Sequence, residues 1–413
     1  WPNPRNGKVG RMSISTSRRN TRQQGLLNIL FITTDQQRWD TLPCYGLDFM
    51  HTPALDRLSH EGVVFDRCVT PSPLCQPARA SLIMGQYPSV TGVPDNFHWI
   101  RPGSPTLARV FGRAGWNTAA IGKMHFHPWD NPEGFDYRVA AEDKRHIFCP
   151  DDWTEYLGER GLRRSHPAEV PGYRQSIGAI VSPYETDDHI DSFIGREAVR
   201  WIESEAKEPF FSWVSFNSPH DPYDPPKDFA NLYDDAPIPD PVALDQPIDD
   251  LPTYQTANVD MYDSNPLYLT SYRNMTESQV KRIRQRYLAT ITLVDQQIGK
   301  ILRALEGRSM LEDTLIVFSS DHGDLLGDHG LLYKSNFYEG ALRVPLIVRG
   351  PGISGGRRSS RFVDWLDLTA TFCEAAGLTV PYHVQGESLM PLLRGERVGP
   401  RDCVFSELAG CVM

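Results

Sequence analysis

The chain has 413 residues, of which 40% are hydrophobic and 23% are charged. This composition supports a buried core and excludes a wholly disordered chain, and its apolar runs fall short of the roughly 20 residues that a bilayer span requires. The formal net charge of −10 argues against nucleic acid as the main partner, because phosphate backbones bind basic surfaces.

The start of the chain differs in charge from the remainder. Residues 1–25 carry six basic side chains and no acidic one, and they lack the apolar stretch of a secretory signal. We predict a basic, disordered leader over 1–25. The seven cysteines include no CxxC pair, and their odd number argues against a disulfide framework. Together these features predict a cytoplasmic protein.

Apolar, β-rich runs alternate with helical patterns along the chain. Strands are predicted at 28–34, 118–122, 210–216, 314–319 and 345–348. Helices are predicted at about 106–114, 191–205, 277–305 and 367–376, with a capping box of Thr276 and Gln279 and with Asp367 as the cap of the last helix. Continuous apolar strands separated by helices favour a doubly wound α/β domain with a mainly parallel sheet and helices on both faces.

Two irregular stretches interrupt this alternation. Residues 128–190 mix Trp, Pro and charged residues without a period, and residues 221–275 are rich in Pro, Tyr and Asp. Long irregular inserts in a compact domain are usually functional. We interpret both as lids or rims of a site within one α/β domain that covers 26–395.

Four of the predicted strands run directly into ionisable or metal-binding side chains. The residues at these strand ends are Asp35 and Gln36, Lys123 and His125, His220, and Asp321 and His322. Each residue alone has a structural explanation, as a turn residue or a buried histidine. Ligands bind beyond the carboxyl ends of strands in open α/β sheets, so four polar ends together predict one site. Oxygen ligands with one imidazole suit Ca²⁺, Mg²⁺ or Mn²⁺ better than zinc.

A short helix is predicted over the segment CQPARASLIM, which begins at Cys75. Pro77 stands where a first-turn proline is favoured, and Gly85 stands where a terminating glycine is expected. Backbone N–H groups and the helix dipole at such an N-terminus favour anions, and Arg79 adds a cation one turn later. The alternative is a buried structural cysteine.

This segment resembles the sulfatase signature C-x-P-[SA]-R-A, in which the cysteine is oxidised to Cα-formylglycine. Further motifs fit the same family in order: NILFITTDQQRWDTL, GKMHFHP with GFDYR, SFNSPHDPYDPP, and SSDHGDLLGDHGLLYKSNFYEGALRVPLIVRGPG. The resemblance extends from Asn28 to about Leu393. It implies an alkaline-phosphatase-like α/β fold and metal-dependent hydrolysis of sulfate esters by a formylglycine nucleophile derived from Cys75.

The resemblance also implies a role for each site residue. Formylglycine 75 would be a metal ligand together with Asp35, Gln36, Asp321 and His322. Arg79, Lys123 and His125 would hold the formylglycine, and His220 and Lys334 would hold the sulfate and the leaving group. One hydroxyl of the aldehyde hydrate would attack sulfur, His220 would protonate the leaving group, and His125 would deprotonate the second hydroxyl to release sulfate.

The implied partners are one divalent cation, a small-molecule sulfate ester and a formylglycine-generating maturation enzyme. Calcium is the first choice of cation, with Mn²⁺ or Mg²⁺ as alternatives. The oligomeric state is left open. The family's smaller C-terminal antiparallel subdomain would have only residues 396–413 here, so we expect it to be largely missing.

Two positions depart from the pattern of many sulfatases. Asp35-Gln36 stands where paired Asp is common, and Asp321-His322 stands where Asp-Asn is common. This pattern is similar to phosphonate monoester hydrolases, while Asp-His also occurs in some true sulfatases. Hydrolysis of phosphonate monoesters or phosphodiesters is therefore the alternative function. A non-catalytic, metal-binding relative with unoxidised Cys75 is a third possibility.

A GxSxG match at 352–356 resembles the nucleophile turn of serine hydrolases. It is interpreted as a glycine turn, because no helical pattern follows it.

Overall fold

One central sheet organises the fold. The computed structural model describes residues 27–244, 247–264 and 270–408, so the predicted leader 1–25 lies outside the described residues. Within these ranges nine strands form one sheet. They are β1 (Asn28–Asp35), β2 (Val63–Val69), β3 (Asn117–Gly122), β4 (Tyr137–Ala140), β5 (Phe210–Pro219), β6 (Thr314–Ser320), β7 (Arg343–Val344), β8 (Leu346–Arg349) and β9 (Arg357–Asp364).

The strand order is β4-β3-β5-β1-β6-β8-β2-β7, with β9 paired to β2. The five strands from β4 to β6 are parallel, and β1 lies between β5 and β6. The mainly parallel sheet predicted from the apolar runs is therefore confirmed. Strand β8 was predicted at 345–348 as part of the parallel set, and this direction is wrong, because β8 runs antiparallel to β6. The connection from β6 to β8 contains a 3-10 turn at Asp328–Gly330, the one-turn helix Glu339–Leu342 and β7, but no helix long enough to cross a face of the sheet, which is the usual parallel return.

Twelve α-helices lie within the described ranges. They are α1 (Pro53–Glu61), α2 (Cys75–Met84), α3 (Pro88–Thr91), α4 (Leu107–Arg113), α5 (Asp152–Glu159), α6 (Ile190–Ser204), α7 (Lys227–Ala230), α8 (Thr253–Ser264), α9 (Glu277–Gly307), α10 (Glu339–Leu342), α11 (Leu366–Ala375) and α12 (Met390–Leu393). None of these helices combines the length and the apolar character that crossing a membrane requires.

Two hydrophobic cores cover the two faces of the sheet. Alternate residues of β1 point to opposite faces, so Leu30 and Ile32 belong to one core, while Ile29 and Phe31 belong to the other. Helices α1, α6 and α9 contribute to the first core, and α2, α4 and α11 contribute to the second. The rings of Phe31 and Phe372 lie 5.3 Å apart between β1 and α11. Helices on both faces confirm the doubly wound arrangement.

The predicted helix ends lie within two residues of those in the structure, and one predicted cap is wrong. Thr276 and Gln279 form the predicted capping box at the start of α9. Asp367, predicted as the cap of the helix at 367–376, instead lies inside the first turn of α11, which begins at Leu366. Its carboxylate accepts hydrogen bonds from the backbone N–H groups of Asp364 and Glu387, so it joins two loops rather than capping the helix.

The GxSxG match lies in a turn that leads into strand β9 rather than into a helix. A nucleophile elbow needs a strand-to-helix turn, so the interpretation as a glycine turn agrees with the structure. Six cysteines fall within the described ranges, and none of them is in a disulfide.

Helix α1 begins against a carboxylate supplied by another helix. Its cap residue Thr52 makes no side-chain capping bond. Asp295 of α9 instead accepts hydrogen bonds from the N–H groups of Ala54 at 3.1 Å and Leu55 at 2.8 Å. Burial raises the pKa of Asp295 from its ordinary value of 3.8 to about 7, although the two N–H donors oppose the shift.

This shift predicts a pH dependence of stability. Between about pH 4 and pH 7 the folded carboxyl retains a proton that the unfolded one releases, so its contribution to folding is lost as pH rises. Asp295→Asn removes this titration but keeps an oxygen acceptor. We expect the free energy of unfolding of the variant, relative to that of the wild type, to increase by about 1–3 kcal/mol as pH rises across this window. Urea unfolding at several pH values measures the difference, and parallel pH profiles would contradict it.

Candidate active site

The carboxyl ends of four neighbouring strands meet at one edge of the sheet. Strands β3, β5, β1 and β6 are adjacent and parallel, and they deliver Lys123, His220, Asp35 and Asp321 respectively. The N-terminus of α2 brings Cys75 to the same place, and Cys75 is only 1% exposed. The structure therefore brings together the strand ends that the sequence analysis grouped into one site.

Four side chains form a compact cluster of metal-ligating atoms. One ligand atom from each of Asp35, Cys75, Asp321 and His322 lies within 4.8 Å of the others. The His322 Nδ1 lies 3.0 Å from the Gly323 carbonyl oxygen. A carbonyl only accepts, so Nδ1 carries a proton and Nε2 faces the cluster. Burial opposes protonation of His322, but Asp321 prevails and raises its pKa, so Nε2 gives up its proton when it binds a cation. Two carboxylates and an available imidazole nitrogen fit a divalent cation.

Gln36 lies beside the cluster with its backbone in the left-handed region, at a φ of 70°. Its backbone N–H donates to Asp321 Oδ1 at 3.1 Å. Its amide nitrogen donates to Asp324 Oδ2 at 2.6 Å, and its Oε1 accepts from Lys334 Nζ at 2.5 Å. Asp324 thus orients the Gln36 amide so that the amide oxygen points toward Lys334.

Arg79 joins the two carboxylates of the cluster. Its buried guanidinium donates from Nε to Asp321 Oδ2 at 2.9 Å and from Nη2 to Asp35 Oδ2 at 3.1 Å. Family resemblance predicts that Arg79 holds residue 75, whereas its side-chain bonds here go to these carboxylates, to Ser215 and to the Lys123 carbonyl. Arg79 therefore orients the carboxylates and leaves their Oδ1 atoms facing Cys75 and His322.

Lysines complete the positive side of the site. Lys123 Nζ lies 2.9 Å from Asp35 Oδ2, and Lys334 Nζ lies 3.2 Å from Cys75 Sγ. Burial opposes ionisation of Asp35, but Lys123 and the neighbouring cations lower its pKa well below the ordinary value. Burial and Asp35 likewise oppose ionisation of Cys75, but Lys334 and His322 prevail and lower the pKa of the thiol. The site therefore stabilises negative charge at position 75.

Both predicted catalytic histidines are neutral in this state. Burial, Lys123 and Lys334 lower the pKa of His220 to about 3. Its Nδ1 lies 2.7 Å from the Asp221 carbonyl oxygen, so the Nε2 lone pair faces the site, 4.0 Å from Asp35 Oδ1. Burial and Lys123 lower the pKa of His125 to about 4. A neutral imidazole suits the base role expected for His125, while the acid role expected for His220 requires that it first gains a proton.

His125 contacts the site through its backbone. Its carbonyl accepts from Gln76 Nε2 at 3.1 Å, and its N–H donates to Glu142 Oε2 at 3.1 Å. Its buried ring Nδ1 has no hydrogen-bond partner among the described residues. The ring therefore keeps a nitrogen available beside the helix that begins at Cys75.

Sequence reasoning missed a group of charged residues next to the site. Asp143 Oδ2 lies 3.4 Å from Lys123 Nζ and 2.9 Å from Arg145 Nη2, and Arg145 also pairs with Asp221 at 2.8 Å. Asp143 follows β4, so it too belongs to a strand end. Strand β4, with the sequence YRVA, was not predicted because it is short and half polar. The overlapping GFDYR motif was the only signal in this region.

The second insert contributes to the site as well as to its rim. Tyr223 is fully buried and donates from its hydroxyl to Asp324 Oδ2 at 2.9 Å. Asp324 was visible in the motif DHGD, but its contact with Gln36 was not. Asp224 is paired with Lys144 at 2.5 Å, so the acidic residues of the insert nearest His220 are compensated by cations.

Comparisons with known proteins identify the family of the chain. The sequence matches the Sulfatase family over residues 27–378. It is 36% identical over 392 residues to a choline-sulfatase of Rhizobium meliloti (strain 1021), covering 91% of this chain and 73% of that enzyme. It is 30% identical over 404 residues to an arylsulfatase of Clostridium perfringens (strain 13 / Type A), covering 92% of this chain and 81% of that enzyme.

A solved structure gives the same result for the fold. The phosphonate monoester hydrolase of Agrobacterium radiobacter superposes with a TM-score of 0.75 at 28% identity, covering 91% of this chain and 79% of that one. The match over most of the chain, the relatives and the shared fold confirm the resemblance found from the sequence motifs. The chain belongs to the sulfatase family, with its alkaline-phosphatase-like fold, and is a sulfuric ester hydrolase.

Proposed function

We propose that this enzyme hydrolyses small sulfate esters with formylglycine, formed from Cys75, as the nucleophile and with one bound divalent cation. The observation that carries the proposal is the position of Cys75 Sγ. It lies 3.0 Å from His322 Nε2, 3.2 Å from Lys334 Nζ and 3.8 Å from Asp35 Oδ1. A nucleophile generated there stands between the candidate metal ligands and a lysine that can bind the sulfate.

The residues present fit a divalent cation. Asp35, Gln36, Asp321 and His322 would hold it, with residue 75 as a further ligand. Oxygen ligands dominate this set, which favours Ca²⁺, and the imidazole makes Mn²⁺ or Mg²⁺ the alternatives. When bound, the cation supplies charge stabilisation for the sulfate oxygens and promotes deprotonation of the attacking hydroxyl.

The side chains around position 75 have separate catalytic roles. The hydrated aldehyde supplies the hydroxyl that attacks sulfur. Lys123 and Lys334 neutralise the sulfate oxygens as charge builds up on them. His220 presents Nε2 to the site, and a bound anionic ester favours its protonation, which prepares it to donate to the leaving oxygen. His125 retains a lone pair for the second hydroxyl of the hydrate.

Hydrolysis of phosphonate monoesters is the second candidate. Two observations favour it: the Asp321-His322 pair in place of Asp-Asn, and the structural similarity to the phosphonate monoester hydrolase of Agrobacterium radiobacter. A tetrahedral phosphonate monoanion fits the same lysines and the same candidate metal ligands. A comparison of substrates therefore distinguishes sulfatase from phosphonate monoester hydrolase activity better than substitution of a site residue does.

We expect loss of either cluster carboxylate to abolish metal binding and turnover together. Asp35→Ala or Asp321→Ala removes an anionic ligand and also leaves the buried Arg79 with one carboxylate partner. The expected loss of kcat is more than about 1,000-fold. Metal content by elemental analysis and turnover of an aryl sulfate are measured on the same preparations.

Cys373→Ala is the matched control for these variants, because Cys373 is buried in the second core away from the site. We expect it to lower stability and to retain metal and turnover. Normal metal content and turnover in the Asp35 or Asp321 variant would show that the candidate ligands are misassigned.

Cys75 should be found as formylglycine in active preparations made with a formylglycine-generating enzyme. Peptide mass spectrometry of the segment containing residue 75 distinguishes the aldehyde from the thiol. Turnover should rise in proportion to the aldehyde fraction and should vanish in Cys75→Ala. Full activity in a preparation that contains only the thiol would refute the nucleophile proposed here.

An aryl sulfate and an aryl phosphonate should be compared side by side, each with Ca²⁺ and with Mn²⁺. We expect kcat/KM for the sulfate to exceed that for the phosphonate by at least about tenfold. Choline sulfate belongs in the same panel, because a relative carries the name choline-sulfatase. The reverse preference for phosphonate would establish the second candidate function instead.

A further inference from the structure

The cluster at position 75 has a different character before the cysteine is oxidised. Its four ligand atoms are then Asp35 Oδ1, Asp321 Oδ1, His322 Nε2 and the sulfur of Cys75. Thiolate and imidazole are ligands that zinc prefers, whereas calcium and magnesium prefer oxygen. The precursor therefore presents a zinc-type donor set at a site whose oxidised form is rich in oxygen.

The spacing of these atoms matches a tetrahedral zinc site. Zinc bond lengths to sulfur, nitrogen and oxygen place the ligand atoms of a tetrahedron about 3.4–3.6 Å apart. Here His322 Nε2 lies 3.0 Å from Cys75 Sγ, 3.8 Å from Asp35 Oδ1 and 3.7 Å from Asp321 Oδ1. Cys75 Sγ lies 3.8 Å from Asp35 Oδ1. All four atoms lie within 4.8 Å of one another, so contraction of the longer separations converts this arrangement into a tetrahedron.

The surroundings already hold each ligand in a metal-binding state. The Gly323 carbonyl accepts from His322 Nδ1 and so leaves Nε2 free to coordinate. Arg79 and Lys123 occupy the Oδ2 atom of Asp35, and Arg79 occupies that of Asp321. The Oδ1 of Asp321 lies 3.7 Å from His322 Nε2 and also accepts the backbone N–H groups of Gln36 and His322, which fix its position. All four ligand residues are at most 1% exposed, which keeps water from competing for the metal.

We propose that the precursor form of the enzyme, with Cys75 as a cysteine, is a tetrahedral zinc site of Asp35, Cys75, Asp321 and His322. The sulfur binds zinc as the thiolate, and any proton that it still carries is released to solvent as the zinc–sulfur bond forms. Two carboxylates and one thiolate then carry three negative charges opposite the two positive charges of the ion. Four protein ligands leave no open position, so zinc occupies the precursor in a closed, inactive state.

Oxidation of Cys75 then changes the metal preference of the site as well as its nucleophile. Replacement of sulfur by the oxygens of a hydrated aldehyde removes the soft ligand and makes the donor set predominantly oxygen. This inference rests on the proposed function for the identity of the oxidised form. The zinc site itself depends only on the cysteine form.

The test uses full-length protein made without a formylglycine-generating enzyme, with the thiol at residue 75 verified by peptide mass spectrometry. Zinc affinity is measured by competition with a chromophoric chelator, and Co²⁺ is titrated to detect the absorption band of a cobalt–thiolate bond. We expect the band in the precursor and not in Cys75→Ser. We also expect Cys75→Ser to weaken zinc binding by more than about 100-fold, since loss of an outer partner alone costs 10–100-fold.

Cys403→Ser is the matched control, because Cys403 is an exposed thiol outside the cluster. We expect it to retain both the cobalt band and the zinc affinity. A measurement without any variant is the thermal unfolding of the precursor, whose Tm should rise more with Zn²⁺ than with Ca²⁺ at equal concentration.

Equal zinc affinity in the precursor and Cys75→Ser, or a cobalt complex without the thiolate band, would overturn the zinc site. Equal zinc affinity in the thiol and formylglycine forms would overturn the change of preference. Failure of the catalytic proposal is recognised separately, by active protein that lacks formylglycine. That result leaves the zinc measurements on the thiol form interpretable.

Discussion

The buried guanidinium of Arg79 is the interaction on which the site depends. It bridges Asp35 and Asp321, two carboxylates at the ends of adjacent strands that would repel each other without a cation between them. The guanidinium is planar, so one side chain holds the Oδ2 atoms of both carboxylates in fixed directions. The Oδ1 atoms then face the space beside Cys75. Removal of one partner from such a buried network leaves an uncompensated charge, which is strongly destabilising.

The sheet supplies the second constraint, since only adjacent parallel strands deliver their carboxyl ends to one edge. Strand β1 is the centre of this arrangement, because its neighbours β5 and β6 carry His220 and Asp321. The hydrophobic cores on both faces fix β1 through Leu30 and Phe31. Packing of the two hydrophobic cores thereby sets the positions of the polar side chains at the strand ends.

Sequence patterns predicted the parts of the fold that follow from apolar periodicity. The strand at 28–34 and the long helix from Glu277 were found because their side chains are buried in regular patterns. The direction of β8 and the role of Asp367 were wrong, because periodicity carries no information about strand direction or about which loops a carboxylate will join. The ionisable residues that follow the predicted strands indicated the candidate site. Asp143 was missed because its relevance comes only from its tertiary contact with Lys123. Tyr223 lies in the second insert, and its contact with Asp324 could likewise not be read from the sequence.

The central position of β1 has a consequence for how the chain reaches its folded state. Gln36 and Asp321, which share a hydrogen bond, are separated by 285 positions along the chain, and β1 pairs with β6 along its length. Contacts this distant slow folding, because a long loop must close before they form. During synthesis one edge of β1, whose eight residues are all buried in the folded protein, stays unpaired until residues 314–320 have emerged, and such edges are prone to aggregate. Nascent chains that stop short of Asp321 thus combine an incomplete site with an exposed sheet edge.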